Sequence, residues 1–323
     1  MSNTVKANQW LRRFQLDITS NSRRVYANGR QQVEITVTLE PRNGQTISRE
    51  SLNSLTLVQI DDEGNPRVLD HPDLYAHTQR DERFVYHNAS GSAPSALMAS
   101  SSNAIHRRFY VSSKRPGGTL SQIHAAIWMD EDHLFVTNAE PFKSSVVIES
   151  IAPVPAHKDL FQLSVESPLK YKLPSLNLNY WDDEFEETAG YFGFTDPRTV
   201  MVESRALATP ASHAIYEMNA WAHALISFQL TNDYSQHRKV TVYEVGQPFT
   251  VKSPDSDRAY HQRPGHMLIH LYARRFYNRH YSSSESRRSI WNVIDQHGNA
   301  YEVEFSVAEA GKHVSFTVNA NNA

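Results

Sequence analysis

Hydrophobic positions along this chain recur at every second residue more often than at every third or fourth. Val33-Glu34-Ile35-Thr36-Val37-Thr38-Leu39 sets Val33, Ile35, Val37 and Leu39 on one side and polar residues on the other. That is the pattern of an antiparallel strand with one buried face. Lys239-Val240-Thr241-Val242-Tyr243, Tyr301-Glu302-Val303-Glu304-Phe305-Ser306-Val307 and Val314-Ser315-Phe316-Thr317-Val318 repeat it. β-Branched and aromatic residues dominate these runs, as a pleated, half-buried surface favours. Ile60-Asp61-Asp62-Glu63-Gly64-Asn65 and Ile294-Asp295-Gln296-His297-Gly298-Asn299 share one turn pattern. Glycine there supplies a positive φ and aspartate bonds back to the backbone, so both are expected to be hairpin turns. A helix is expected only over about 211–225, where Ile215, Met218, Ala222 and Leu225 share a helical face; it overlaps the strand-like Ala224–Leu230. Many short strands separated by turns predict an all-β protein built from sandwiches or barrels.

Short segments recur in the same order in the two halves. Phe14-Gln15-Leu16-Asp17-Ile18 returns as Phe161-Gln162-Leu163-Ser164-Val165, and Arg107-Arg108-Phe109-Tyr110 returns as Arg274-Arg275-Phe276-Tyr277. Ile127-Trp128 pairs with Ile290-Trp291, and Val146-Val147-Ile148 with Val314-Ser315-Phe316. An internal duplication is the expectation this order raises. It implies extra residues at about 88–103 in the first half and 169–215 in the second. A length of 323 residues allows about two domains. The boundary is placed at Pro153-Val154-Pro155, a short, stiff connection. The expected organisation is therefore residues 1–155 as one β-sandwich and residues 156–323 as a related one carrying the 169–215 insertion.

Tyr26-Ala27-Asn28-Gly29-Arg30-Gln31-Gln32, the Val33–Leu39 strand and Asn43-Gly44 together resemble the start of bacterial immunoglobulin-like domains of the invasin and intimin type. Arg108-Phe109-Tyr110-Val111-Ser112-Ser113 is similar to a late strand of that fold. The second half lacks the Ala-Asn-Gly turn. The resemblance implies two tandem immunoglobulin-like β-sandwich domains used as spacer or adhesive modules, and it brings no catalytic residue. Fold alone does not assign function.

Composition narrows the chemistry. The chain has no cysteine, which excludes disulfides, thiolate metal sites and a cysteine nucleophile. A formal net charge of −3 argues against a nucleic-acid partner. Sixteen histidines would turn that charge positive in mild acid, so an acid-triggered binding step is one reading and a histidine-rich surface the other. Residues 1–10 contain no apolar signal-peptide core, so a cytoplasmic location is the default expectation, with leaderless export or release left open. The common hydrolase, nucleotide and zinc-protease motifs are absent. No cofactor is expected, and the oligomeric state is not readable.

Three stretches are candidates for chemistry. The run Trp181-Asp182-Asp183-Glu184-Phe185-Glu186-Glu187, with Tyr180 and Tyr191, combines rings and carboxylates. Such a surface suits a glycan or protein partner; the plainer reading is a solvated acidic loop with rings that fill the core. Arg274, Arg275, Tyr277 and Arg279 form a basic–aromatic stretch that could take anionic groups or stack on sugars, or could be a strand with exposed arginines. His266 and His270 have metal-ligand spacing for a helix; on a strand they stand about 13 Å apart, too far for one ion. Residues 88–103 are small and uncharged, a loop with a possible membrane role in a pore former. The leading expectation is a non-enzymatic binding protein that presents Tyr180, Trp181, Asp182, Asp183, Tyr191, Arg274, Arg275, Tyr277 and Arg279 to a protein or glycan. A leaderless toxin or effector component is the second reading, and an enzyme with a loop-built carboxylate–histidine site is the third.

Overall fold

The alternation at 33–39 becomes strand geometry in the computed structural model, which describes residues 7–20, 22–87, 103–173, 183–207, 222–230, 235–245, 250–252, 257–276, 288–308 and 313–319. Val33, Ile35, Val37 and Leu39 are buried on β3, as the pattern predicts. The opposite face is also covered, which the pattern did not predict. Thr36 and Thr38 are buried there and keep their hydroxyls paired, with Thr19 Oγ1 at 2.8 Å and His106 Nδ1 at 3.1 Å. A buried hydroxyl is tolerated when it has such a partner.

The chain divides into two units, Met1–Val154 with His297–Asn299, and Pro155–Gln296 with Ala300–Ala323. In the first unit the strands are β1 (Leu11–Ile18), β2 (Arg24–Tyr26), β3 (Val33–Pro41), β4 (Thr56–Ile60), β5 (Pro66–Val68), β6 (Asp70–His71), β7 (Leu74–His77), β8 (Ile105–Ser113), β9 (Leu120–Trp128), β10 (Leu134–Val136) and β11 (Val146–Ile151). Short helices α1 (Ala7–Trp10) and α2 (Arg49–Ser54) accompany them. One sheet has the order β1-β3-β8-β7-β6 and the other β2-β11-β9-β4-β5, with β10 paired to β9. Phe14, Leu16, Ile35, Val37 and Val111 from the first sheet meet Val25, Leu57, Ile123, Ala125, Ile127 and Ile148 from the second in one core. Two sheets sharing a core in this way make a sandwich. Each fully buried aliphatic side chain contributes about 1.5–3 kcal/mol.

Both expected hairpin turns are present. Asp61 Oδ1 accepts from Glu63 N and Asn65 N, and Gly64 sits at φ +87° between β4 and β5. Gly298 sits at φ +81° in the turn after Asp295. At the Ala27-Asn28-Gly29 turn, Asn28 Oδ1 accepts from Arg30 N and Gln31 N, and Gly29 takes φ +68°. Only glycine adopts that left-handed conformation without a steric cost.

The second unit contains β12 (Phe161–Val165), β13 (Leu169–Leu173), β14 (Asp183–Phe194), β15 (Met201–Ala206), β16 (Ala222–Leu230), β17 (Ser235–Tyr243), β18 (Thr250–Lys252), β19 (Ala259–His261), β20 (Met267–Phe276), β21 (Arg288–Asp295), β22 (Ala300–Ala308) and β23 (His313–Asn319). One sheet runs β12-β14-β20-β17-β16 with β13 added on β14, the second runs β15-β21-β22-β23, and β18–β19 is a separate hairpin. Phe161, Phe192, Val240, Val242, Met267 and Ile269 meet Trp291, Val293, Tyr301, Val303 and Phe305 between the two larger sheets. The opposite face of β14 and β20 is covered as well. Ala189, Tyr191 and Leu268 pack there with Tyr243, Val251 and Tyr260, beneath the β18–β19 hairpin.

This architecture is all-β, as expected, and corrects three details. The stretch 169–215 is not a loop insertion where it is described, because β14 pairs with β12, β13 and β20 and lies inside the sheet. The expected helix over 211–225 fails at its C-terminal end, where Ala222–Leu230 is strand β16 in register with β17; its earlier residues lie outside the described ones. Residues 88–102 also lie outside them. The third correction concerns the repeat. Phe14 and Phe161 both enter their cores, but Ile127 and Trp291 point inward while Trp128 points outward. The matched Ile-Trp pairs therefore present opposite faces, which a one-residue slip of register produces. Among the described residues no helix is long and apolar enough to cross a membrane.

Candidate binding site

The candidate residues of the second unit divide sharply. Tyr180, Trp181, Asp182, Tyr277 and Arg279 lie outside the described residues. Asp183 has its backbone at the start of β14, opposite Leu173. Arg274 and Arg275 stand on β20 opposite Phe185 and Glu184. Tyr191 is a correction, since its side chain is 4% exposed and not presented to a partner. Its hydroxyl donates to His261 O at 3.1 Å, and the Arg263 guanidinium covers its ring at 3.6 Å. The alternation that put Phe192 into the main core put Tyr191 under the hairpin, because sheet residues alternate between two faces and here both are covered. His266 and His270 flank the start of a strand, so the helical metal geometry does not arise. Among the described residues no cluster of three histidine or acidic side chains could hold a metal ion.

His270 instead belongs to a closed polar cluster. Glu187 on β14 is 0% exposed. Its Oε1 accepts from the Tyr171 hydroxyl at 2.5 Å, and its Oε2 lies 3.7 Å from His270 Nε2. The latter distance is in ion-pair range and beyond a hydrogen bond. The Tyr260 ring of the hairpin lies with its centroid 5.0 Å from that of His270, tilted by 46°. At the margin Glu166 accepts from Arg258 Nη2 at 3.3 Å and Arg263 Nη2 at 3.0 Å. Four strands thus converge on one carboxyl, and the cluster ties the β18–β19 hairpin to the sheet. A carboxylate–histidine pair exists, built on strands, and both of its side chains are buried among the described residues.

Burial raises the Tyr260 phenol from 10.0 to about 12, and Tyr243 likewise to about 12. A phenol that ionises more readily in the unfolded chain stabilises the fold fully below pH 10 and loses that contribution as pH rises through 12. Stability of the second unit is therefore expected to fall between pH 10 and pH 12. Urea midpoints at pH 9 and pH 11.5 measure this, and Tyr260→Phe should lessen the drop relative to its own value at pH 9.

An open recess occurs in the first unit. Ile123, Ala125 and Ile127 of β9 point into the core, which turns Trp128 outward at 43% exposure. The serines of α2 hold the strand end in place. Ser51 Oγ donates to Met129 O at 3.1 Å, and Ser54 Oγ accepts from Trp128 N at 2.9 Å. Ser48 caps α2 by accepting from Ser51 N at 3.0 Å. Beyond the strand, Met129 N donates to His133 O at 2.9 Å and closes the turn to β10. Asp130 Oδ1 accepts from Asp132 N at 3.0 Å and lies 2.7 Å from His133 Nδ1. The result is a recess of about 400 Å³ lined by Glu50, Ser51, Ser54, Trp128, Met129, Asp130 and Glu131. Its volume is that of a small-ligand or side-chain pocket.

Two of its acids are held ionised at neutral pH. The backbone N–H of Glu50, then the Ser48 hydroxyl, holds the Glu50 carboxyl below the usual range. The His133 ring does the same for Asp130, helped by the Asp132 and His133 backbone N–H groups. The sequence signal for this recess is Trp128-Met129-Asp130-Glu131-Asp132, a ring followed by carboxylates. It was legible only as half of a repeat, because its partner in the recess, α2, is more than seventy residues earlier in the chain.

Fold and recess together define an all-β protein of two sandwich units, the first of which carries an open recess lined by Trp128 and three carboxylates. No family model matches the chain, and no curated protein matches it. Among solved structures it is similar to the collagen-binding domain of Erysipelothrix rhusiopathiae surface protein RspB, at 7% identity over 96% of this chain and 94% of that one, with a TM-score of 0.22. It is also similar to the C-terminal domain of the Streptococcus pyogenes antigen I/II-family protein AspA, at 10% identity over 95% and 99%, TM-score 0.24. A partial N-terminal region of an enterococcal surface protein matches at 7% identity over 91% and 92%, TM-score 0.21. These are domains of bacterial surface proteins, and likeness at such scores carries no argument about this chain. The all-β assignment rests on the strands themselves.

Proposed function

We propose that this chain is a non-enzymatic binding protein whose first unit presents the Trp128 recess to a protein or glycan partner. The observation that supports the reading is the recess itself, where a half-exposed tryptophan, its backbone held by α2, lies with three carboxylates. Aromatic rings supply contact area at low entropic cost and dominate binding energy where they are rigidly placed. The closed Glu187–His270 cluster fits support of the β18–β19 hairpin better than turnover. Immunoglobulin-like adhesion, read from the Ala27-Asn28-Gly29 turn and the strand after it, is the finer form of the proposal.

Peptide and glycan arrays probed with the intact chain test it. Binding to a ligand of either class should fall at least tenfold in Trp128→Ala. Array binding that Trp128→Ala leaves unchanged would remove this recess as the recognition site.

A further inference from the structure

We infer that the Trp128 recess takes a lysine or arginine side chain presented by a partner protein. The inference rests on the binding role proposed above and names what enters the pocket. Three carboxylates, Glu50, Asp130 and Glu131, line the recess, and among the described residues no lysine or arginine lines it. His133 lies against Asp130 Oδ1, and Glu50 and Glu131 are exposed. The apolar side chains of the lining are Trp128 and Met129.

This combination discriminates between ligand classes. The face of an indole is the most favourable aromatic surface for a cation, and a long aliphatic stem suits the Met129 wall. A cation entering here meets the ring quadrupole and the carboxylates together, so both attract the same charge. A neutral sugar could stack on the ring but would draw nothing from the net negative field. A sulfated or carboxylated glycan would be repelled by it. Charge complementarity therefore selects a basic side chain among the partners a tryptophan pocket could hold.

The test uses the intact chain and three probes: the pentapeptide Gly-Gly-Lys-Gly-Gly, the same peptide with norleucine in place of lysine, and a neutral oligosaccharide, cellotetraose. The indole N–H resonance of Trp128, assigned by its loss in Trp128→Phe, reports occupancy. The lysine peptide is expected to bind at least tenfold more tightly than the norleucine peptide. That preference should shrink at high salt, because exposed carboxylates are screened. Glu50→Gln combined with Glu131→Gln should reduce the preference at least fivefold; both residues are exposed, and unchanged unfolding midpoints check that the fold is kept. Equal binding of the two peptides, or tighter binding of cellotetraose, overturns the cation inference while leaving the recess as a binding site. No response of Trp128 to any of the three probes overturns the cation inference too, and array binding that survives Trp128→Ala separately removes the recess reading.

Discussion

Replacing Glu187 by alanine is expected to destabilise the second unit by about 3–5 kcal/mol, the cost of breaking a buried pair by removing one member. The substitution takes away the acceptor that the Tyr171 hydroxyl uses and the carboxylate that faces His270 at 3.7 Å. It also leaves a gap where the side chain is fully enclosed. Desolvated polar groups cannot recover their hydrogen bonds from water there, so the loss is larger than the net worth of the original contacts. The companion variant separates mechanism from volume. Glu187→Leu combined with His270→Leu removes both polar groups and refills the space, and buried pairs replaced in that way are often neutral or stabilised. The double variant should therefore lie closer to the native protein than Glu187→Ala in a urea titration. If it is the less stable of the two, the cluster is a net source of stability and not a constraint that holds the hairpin in register.

The second large effect separates two tryptophans that look alike in the chain. Trp291→Ala should cost about 3–5 kcal/mol, as for other large core aromatics reduced to alanine. Its ring is 0% exposed and its Nε1 donates to Ser289 Oγ at 2.7 Å, so truncation opens a cavity and strands a buried hydroxyl. Trp128→Ala should cost roughly 1–2 kcal/mol, since less of its surface leaves water on folding. The order of effects reverses for binding. Trp128→Ala should abolish recognition by the recess, while a partly folded Trp291→Ala population should bind with unchanged affinity per folded molecule. Thermal unfolding and a binding isotherm on each variant decide both points. Equal stability losses would mean that Trp128 is buried in solution and does not line an open recess.

Why one tryptophan is legible and the other misleading follows from the sheet. Period-two alternation in 33–39, 239–243 and 301–307 identified strands and their inward residues, and Ile35, Val242 and Val303 all sit in cores. Turn chemistry at Asp61–Asn65 and Asp295–Asn299 placed two hairpins, because the Asp61 acceptor and the positive-φ glycines Gly64 and Gly298 are local requirements. Tyr191 and the 169–215 stretch were harder. A ring next to acids reads as an exposed patch when one face of a sheet is assumed to be wet, but from Glu187 to Phe194 β14 is covered on both faces, while the Glu184 and Glu186 side chains before it stay half-exposed. The same assumption hid the Glu187–His270 pair. Its members are eighty-three positions apart, and only the pairing of β14 with β20 sets Glu187 beside Tyr272 and Ala189 beside His270.

The amino-acid sequence by itself determined that this protein is all-β, where its turns lie and which side of most strands is apolar, since each of these depends on residues within a few positions of one another. It also excluded cysteine chemistry outright. Tertiary structure alone decided which acids and rings meet. Glu50 shares a recess with Trp128 only because Ser51 and Ser54 of α2 hold the end of β9, and Tyr260 reaches His270 only because a hairpin folds over a sheet. Burial and electrostatic environment are sums over neighbours brought from distant parts of the chain, so no local pattern contains them.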